Sequence, residues 1–172
     1  MTMTPRLRKL ALTAHVISSV GWLGAIAVYL ALAVAALTIQ DAQKVRAAYL
    51  AMELTAWTVL VPLAFASLLT GLVQSLGTTW GLFRHYWVLA KLLITVLATI
   101  VLLLYTQTIS YIADAATEST DPSQLRNPSP ALHSGAALLL LLLATTLAVY
   151  KPRGMTPYGW RKQHEPHTVS QP

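Results

Sequence analysis

The sequence predicts an all-α fold: a four-helix transmembrane bundle with its spans running antiparallel, up and down. Three observations lead there. Only 10% of the 172 residues are charged, where a soluble domain carries roughly 25%. Four long runs, residues 10–40, 54–83, 92–113 and 127–150, contain no Asp, Glu, Lys or Arg. Each run exceeds the ~20 apolar residues that cross a ~30 Å hydrocarbon core as a helix. Because lipid offers no hydrogen-bond partner, such a run must satisfy its own backbone, which means a helix.

The elements follow in order. A basic N-terminal tail, residues 1–9, precedes a membrane domain over 10–150, and a basic tail over 151–172 follows it. Helices are expected near 10–38, 50–77, 85–112 and 131–150. Residues 114–130, rich in Ser, Thr, Asp and Pro, read as a mobile, solvated loop. Pro62 removes one backbone bond in the middle of the second span and predicts a kink there. The first span has features of a secretory signal: a basic start, an apolar stretch and Ala-Val-Ala at 33–35. Its apolar run is about twice the usual h-region length, so it is expected to be retained; intact mass checks this.

Charge orients the bundle. Arg6, Arg8 and Lys9 precede the first span, Arg84 lies between the second and third, and Lys151, Arg153, Arg161 and Lys162 follow the fourth. All fall on one side. The other side has Lys44, Arg46 and Arg126 together with Asp41, Asp114, Glu118 and Asp121. The Lys/Arg excess predicts that both termini are cytoplasmic in a bacterial inner membrane. The net charge of +6 is thus a membrane asymmetry. It forms no basic patch interleaved with aromatics, so nucleic acid is not expected as a partner. The tails, with Tyr158 and Trp160, suit anionic lipid. His85, Tyr86, Trp87 and Trp80 read as an interfacial aromatic belt.

Catalytic signatures are missing. The chain has no cysteine, which excludes disulfides, thiolate metal sites and thiol nucleophiles. It lacks HExxH, Walker, GxSxG and Gly-rich dinucleotide motifs, and Glu53 is the only carboxylate near a helix core. Catalysis is not expected, and no metal site is assigned; His164 and His167 sit in a Pro-containing tail that reads as disordered.

Two candidate sites remain. His15, Ser18, Ser19 and Trp22 share one face of the first span at i, i+3, i+4 and i+7, extended by Tyr29. Small residues beside it, Ala14, Ser18, Gly21 and Ala25, permit close helix approach, as do Ser67, Gly71 and Ser75 in the second span. His15 and Lys91 lie at a similar depth from the same side. They read either as a hydrogen-bonded packing histidine and a snorkelling lysine, or as a shared binding level. Glu53 and His133 form an outer polar pair, read either as solvated interfacial groups or as an oriented imidazole. His15 and His133 lie at opposite ends, so a bis-histidine haem from that pair is not expected.

The segments "WGLFRHYWVLAKLLITVLATIVLLL" and "YKPRGMTPYGWRKQ" resemble an uncharacterised family of small bacterial integral membrane proteins found in actinobacteria and bacilli. More distantly, "LTAHVISSVGWLGA" followed by "YWVLAKLLITVLAT" is similar to the copper-resistance D type proteins and the HemJ-type membrane protoporphyrinogen oxidases. That resemblance implies haem b as a cofactor, with His15 and Lys91 as the cofactor-binding positions. The histidine those enzymes carry later in the third span is replaced here by the stretch Leu103, Leu104, Tyr105. The function expected from the residues is a structural, assembly or binding component of the membrane, acting with a membrane-protein partner or as a homo-oligomer. The alternative is a haem b-binding or redox-related protein. A transport role is the third reading, but no inverted repeat or ring of acids supports it.

Overall fold

Helices in this protein run past the uncharged segments that mark the bilayer. The computed structural model describes residues 3–77, 81–118, 126–152 and 154–164. Helix α1 spans Pro5–Thr38, α2 Ala42–Thr55, α3 Val61–Leu76, α4 Tyr86–Glu118, α5 Ser129–Tyr150 and α6 Pro157–His164. A π-helical turn, Ala56–Leu60, joins α2 to α3, so α2 through α3 form one continuous span. The all-α bundle is therefore as the composition predicts, with four helices long and apolar enough to cross a membrane. The chain is a multi-pass membrane protein.

The helix ends differ from those expected, for local reasons. Helix α1 starts at Pro5 rather than residue 10, with the proline in the first turn, where its missing N–H costs nothing. At 34 residues it is about 50 Å long, so Arg6, Arg8 and Lys9 ride on helix that extends beyond the hydrocarbon. Helix α2 begins at Ala42, not 50, because Asp41 caps it: its carboxylate accepts from the backbone N–H of Gln43 at 2.9 Å and of Lys44 at 3.4 Å. Replacing Asp41 with Ala is expected to cost about 1 kcal/mol, read as a lowered thermal midpoint in detergent. Helix α4 continues to Glu118, which shortens the expected loop; residues 119–125 of that loop, and its expected mobility, lie outside the described residues.

Pro62 shapes the second span by a widened turn. Proline donates no hydrogen bond and crowds the preceding turn. The chain absorbs this just upstream, where the N–H of Val61 donates to the carbonyl of Ala56 in π-helical register. Thr55 and Thr58 donate back to the carbonyls of Ala51 and Leu54, each at 2.6 Å. At the other end of the chain, Lys151 closes α5 in the left-handed conformation (φ 44°), and Pro152 prevents continuation.

Packing is inverted relative to a soluble protein. Alanines 33, 36, 48, 56, 64, 98, 113 and 116 are buried, while Leu10, Leu93, Leu104, Leu132 and Leu139 lie exposed on the outside. In lipid, leucine gains nothing by leaving the surface, whereas small residues let helices approach and gain dispersion contacts. Helix α1 packs against α2, α3 and α5, and α4 packs against α2, α3 and α5. The spans thus close in sequence order. Larger anchors, Trp22, Tyr49, Met52 and Ile109, fill the centre.

Polar links tie each end. At the end away from the termini, Arg46 Nε donates to the carbonyl of Ala116 at 2.8 Å, and the N–H of Asn127 donates to the Tyr49 hydroxyl at 3.3 Å. At the end carrying the termini, the segment after α5 folds back on the turn before α4. The N–H of Thr156 donates to the Arg84 carbonyl at 3.0 Å, and its hydroxyl donates to the Phe83 carbonyl. The N–H of Tyr86 donates to the Gly154 carbonyl at 3.4 Å, and His85 pairs with Met155 in an isolated antiparallel bridge. Composition marked this segment as a basic tail; its helix and its docking are set by these backbone contacts. Trp80, Arg153 and His167 lie outside the described residues, as does the expected disorder around His167; the same holds for the side chain of His164.

Candidate functional site

The small-residue stripes expected on α1 and α3 face each other. Ser19 Oγ lies 2.9 Å from Ser67 Oγ, and Gly21 sits where an added Cβ would touch Leu63 at 3.5 Å. His15 is held in this seam. Its Nδ1 is 3.1 Å from Thr70 Oγ1, and its Cε1 is 3.1 Å from where a Cβ on Gly71 would stand. Glycine at 71 is what makes room for the imidazole. Thr70 donates its own proton to the Ala66 carbonyl at 2.5 Å, so its oxygen is the acceptor and the His15 proton belongs on Nδ1. Nε2 then carries the lone pair. Ser18 donates to the carbonyl of His15 at 3.1 Å, not to its ring.

Lys91 stands on α4. Its ammonium sits 5.9 Å from the Trp87 ring, one helical turn nearer the interface. That is the path of a stem reaching towards the headgroups with an aromatic partner. His15 and Lys91 thus each have their own local contact, and no hydrogen bond joins the two.

The outer pair is not hydrogen-bonded. His133 Nδ1 lies 2.9 Å from the Ser129 carbonyl and 3.3 Å from its hydroxyl, and the ring stacks on Tyr105 with centroids 4.2 Å apart. Tyr105 in turn donates to Ser129 Oγ at 3.1 Å. Glu53 is half-buried on α2 and makes no hydrogen bond or ion pair among the described residues. Among those residues, no three His, Asp or Glu side chains converge.

A feature the sequence did not show is a cavity of about 220 Å³ bounded by α1, the π-helical turn, α4 and α5. Trp22 and Tyr29 form its α1 wall, Ala56 and Leu60 of the widened turn a second, and Ala98, Tyr105 and His133 are among the residues opposite. The surface is overwhelmingly apolar, with its few polar groups towards the end where His133 lies. Leu97 and Val101 also line it while being exposed on the outside of the bundle. Its mouth thus faces the lipid. The i+7 relation of Trp22 and Tyr29 was the one legible signal, since it places both on a single face. The opposing residues on α4 and α5 share no spacing with them.

A porphyrin is testable against the His15 surroundings. The Nδ1–Thr70 anchor leaves Nε2 as the nitrogen that could ligate a metal. It supplies one ligand only, since His133 is committed to the opposite end. Comparison with family models, with curated proteins and with solved structures yields no match.

Proposed function

We propose that this chain is a non-catalytic binding or assembly component of a bacterial cytoplasmic membrane, with both termini in the cytoplasm. The observation that carries the reading is the lipid-facing apolar cavity, which is a shape for holding a molecule and offers no pair of reactive groups to transform one. The test is native mass spectrometry of the detergent-purified protein, paired with an in-membrane crosslinking experiment. A retained lipid-soluble molecule or a crosslinked membrane partner, including a second copy, is expected. Turnover of a substrate by the purified protein alone overturns the reading.

The orientation rests on the Lys/Arg excess at the terminal end. A C-terminal fluorescent-protein fusion is expected to fluoresce and the matching alkaline-phosphatase fusion to be inactive; the reverse pattern inverts the topology. The exposed Arg161 and Lys162 of α6 suit contact with anionic headgroups.

A second reading has one specific observation in its favour: the His15 tautomer that frees Nε2. If haem b is bound, His15 would be the residue that holds it, and the Lys91 ammonium would offset the negative charge of its carboxylates. When bound, the haem supplies one-electron redox chemistry. A visible spectrum after haem-sufficient expression decides. A Soret band lost in His15→Ala supports this reading, and a colourless preparation overturns it.

A further inference from the structure

We propose that the cavity between α1, α4 and α5 is a binding site for a lipid-soluble molecule bearing a carbonyl oxygen, which enters sideways from the bilayer and accepts a hydrogen bond from Tyr29. This rests on the reading of the protein as a binding component and names the chemistry of its site. Tyr29 is 5% exposed and lines the cavity, yet its hydroxyl has no hydrogen-bond partner among the described residues. Trp22, on the same wall and 1% exposed, has its Nε1–H packed against neighbouring atoms and without an acceptor among the described residues. Such groups in a hydrocarbon setting each forfeit a hydrogen bond worth having. An orphan sealed in a packed core invites no interpretation; a donor on a nine-tenths buried side chain that lines an open volume does.

The unmet demand defines the ligand. The Tyr29 phenol O–H donates readily, so the missing group is an acceptor. Water fits poorly, because a held water needs two to four polar partners, and most of this wall is alanine, leucine, valine and isoleucine. An apolar body with an acceptor oxygen satisfies both parts of the surface. The aromatic lining from Trp22, Tyr29, Tyr105 and His133 adds faces against which a flat ring can lie. The exposed mouth beside Leu97 and Val101 connects the cavity to lipid without crossing a polar barrier. The bilayer supplies this chemistry from two sources: the ring carbonyls of an isoprenoid quinone, and the ester carbonyls of a diacyl lipid.

The experiment challenges the full-length protein in detergent with a short-chain isoprenoid quinone, a diester phosphatidylcholine and its diether counterpart, which lacks the carbonyl. Retention is read by native mass spectrometry and by ligand-induced shift of the thermal midpoint. The expected result is one retained quinone, or one diester lipid in preference to the diether. The arm that binds identifies the source. Tyr29→Phe, which keeps the ring, is expected to weaken that retention by about fivefold, and Ala98→Leu, which fills the cavity, to abolish it. Circular dichroism verifies that each variant is folded; if Ala98→Leu does not insert, Tyr29→Phe alone decides. Equal retention of diester and diether with no quinone bound overturns the proposal, as does a Tyr29→Phe protein that binds like the wild type. A wild type that holds none of the three but crosslinks to a membrane partner also overturns it, while leaving the binding-component reading intact.

Discussion

Ser67→Leu is expected to lower the thermal midpoint in detergent by several degrees, corresponding to about 1–3 kcal/mol of lost stability. Ser67 is buried, and its hydroxyl stands 2.9 Å from that of Ser19 across the α1–α3 seam. A leucine there has no free volume to occupy, since Gly21 against Leu63 and His15 against Gly71 hold the flanking contacts closed. The helices must separate, and in lipid no hydrophobic gain offsets the lost close packing. Ser67→Ala removes only the hydroxyl pair and is expected to cost about 0.6 kcal/mol. Equal losses in the two variants would show that the hydrogen bond, and not the close approach, holds the seam. The lipid-facing Leu69→Ala is expected to have little effect, because Leu69 is exposed on the outside of the bundle where Ser67 is buried.

Gly159→Val is expected to release the C-terminal helix from the bundle, with tryptic cleavage at Arg161 and Lys162 accelerated about tenfold or more. A Cβ at 159 would collide with the Arg84 carbonyl oxygen and stand 3.0 Å from the Arg84 Cα. These are backbone atoms, anchored in the turn that leads into α4, and they cannot rotate aside as a side chain does. The hydrogen bonds from Thr156 to Arg84 and Phe83 are lost with the contact. Thr156→Val keeps the shape but loses the hydroxyl, and is expected to give an intermediate rate. Gly24→Ala and Gly135→Ala, where an added Cβ meets nothing within 4 Å, are expected to leave cleavage unchanged. Cleavage of Gly159→Val at the wild-type rate would mean that the tail is not held by this contact in solution.

The two predictions mark a boundary between what a linear pattern encodes and what it does not. The stripe Ser67, Gly71, Ser75 was legible, because residues four apart lie on one helix face whatever else the chain does. That the stripe meets Ser19 and His15 was also within reach, since α1 has its own small-residue face at matching depth. The docking of Gly159 on Arg84 was not, because the eight-residue helix that carries it is too short to show a period, and its backbone partner is about 75 residues away in the chain. His15 illustrates the same limit within a span. Its depth followed from counting residues, while its partner, Thr70, depended on how α3 is rotated. Thr70 lies three residues from Ser67, so it sat beside the stripe without being distinguished from other lipid-depth threonines. Glu53 and His133 share a level near one interface. His133 turns to Ser129 and Tyr105 instead, because a carbonyl one turn back on its own helix is already in place when the helix forms.

By itself the sequence determined the number of spans, their approximate depth and the end of the bundle at which both termini lie. The bilayer is a uniform solvent with a fixed thickness, and it acts on each segment separately: a charge-free run of sufficient length must become a helix whatever its neighbours are. Helix ends escaped that logic, since α1 and α4 continue into the interface where the apolar signal stops but the backbone still gains its own hydrogen bonds. Only the tertiary structure decided which faces meet and where they fail to meet. The cavity walled by Trp22 and Tyr29, beside the widened turn that precedes Pro62, is such a failure of contact. It arises from the mutual rotation and spacing of four helices, quantities fixed by long-range packing and carried by no single run of residues.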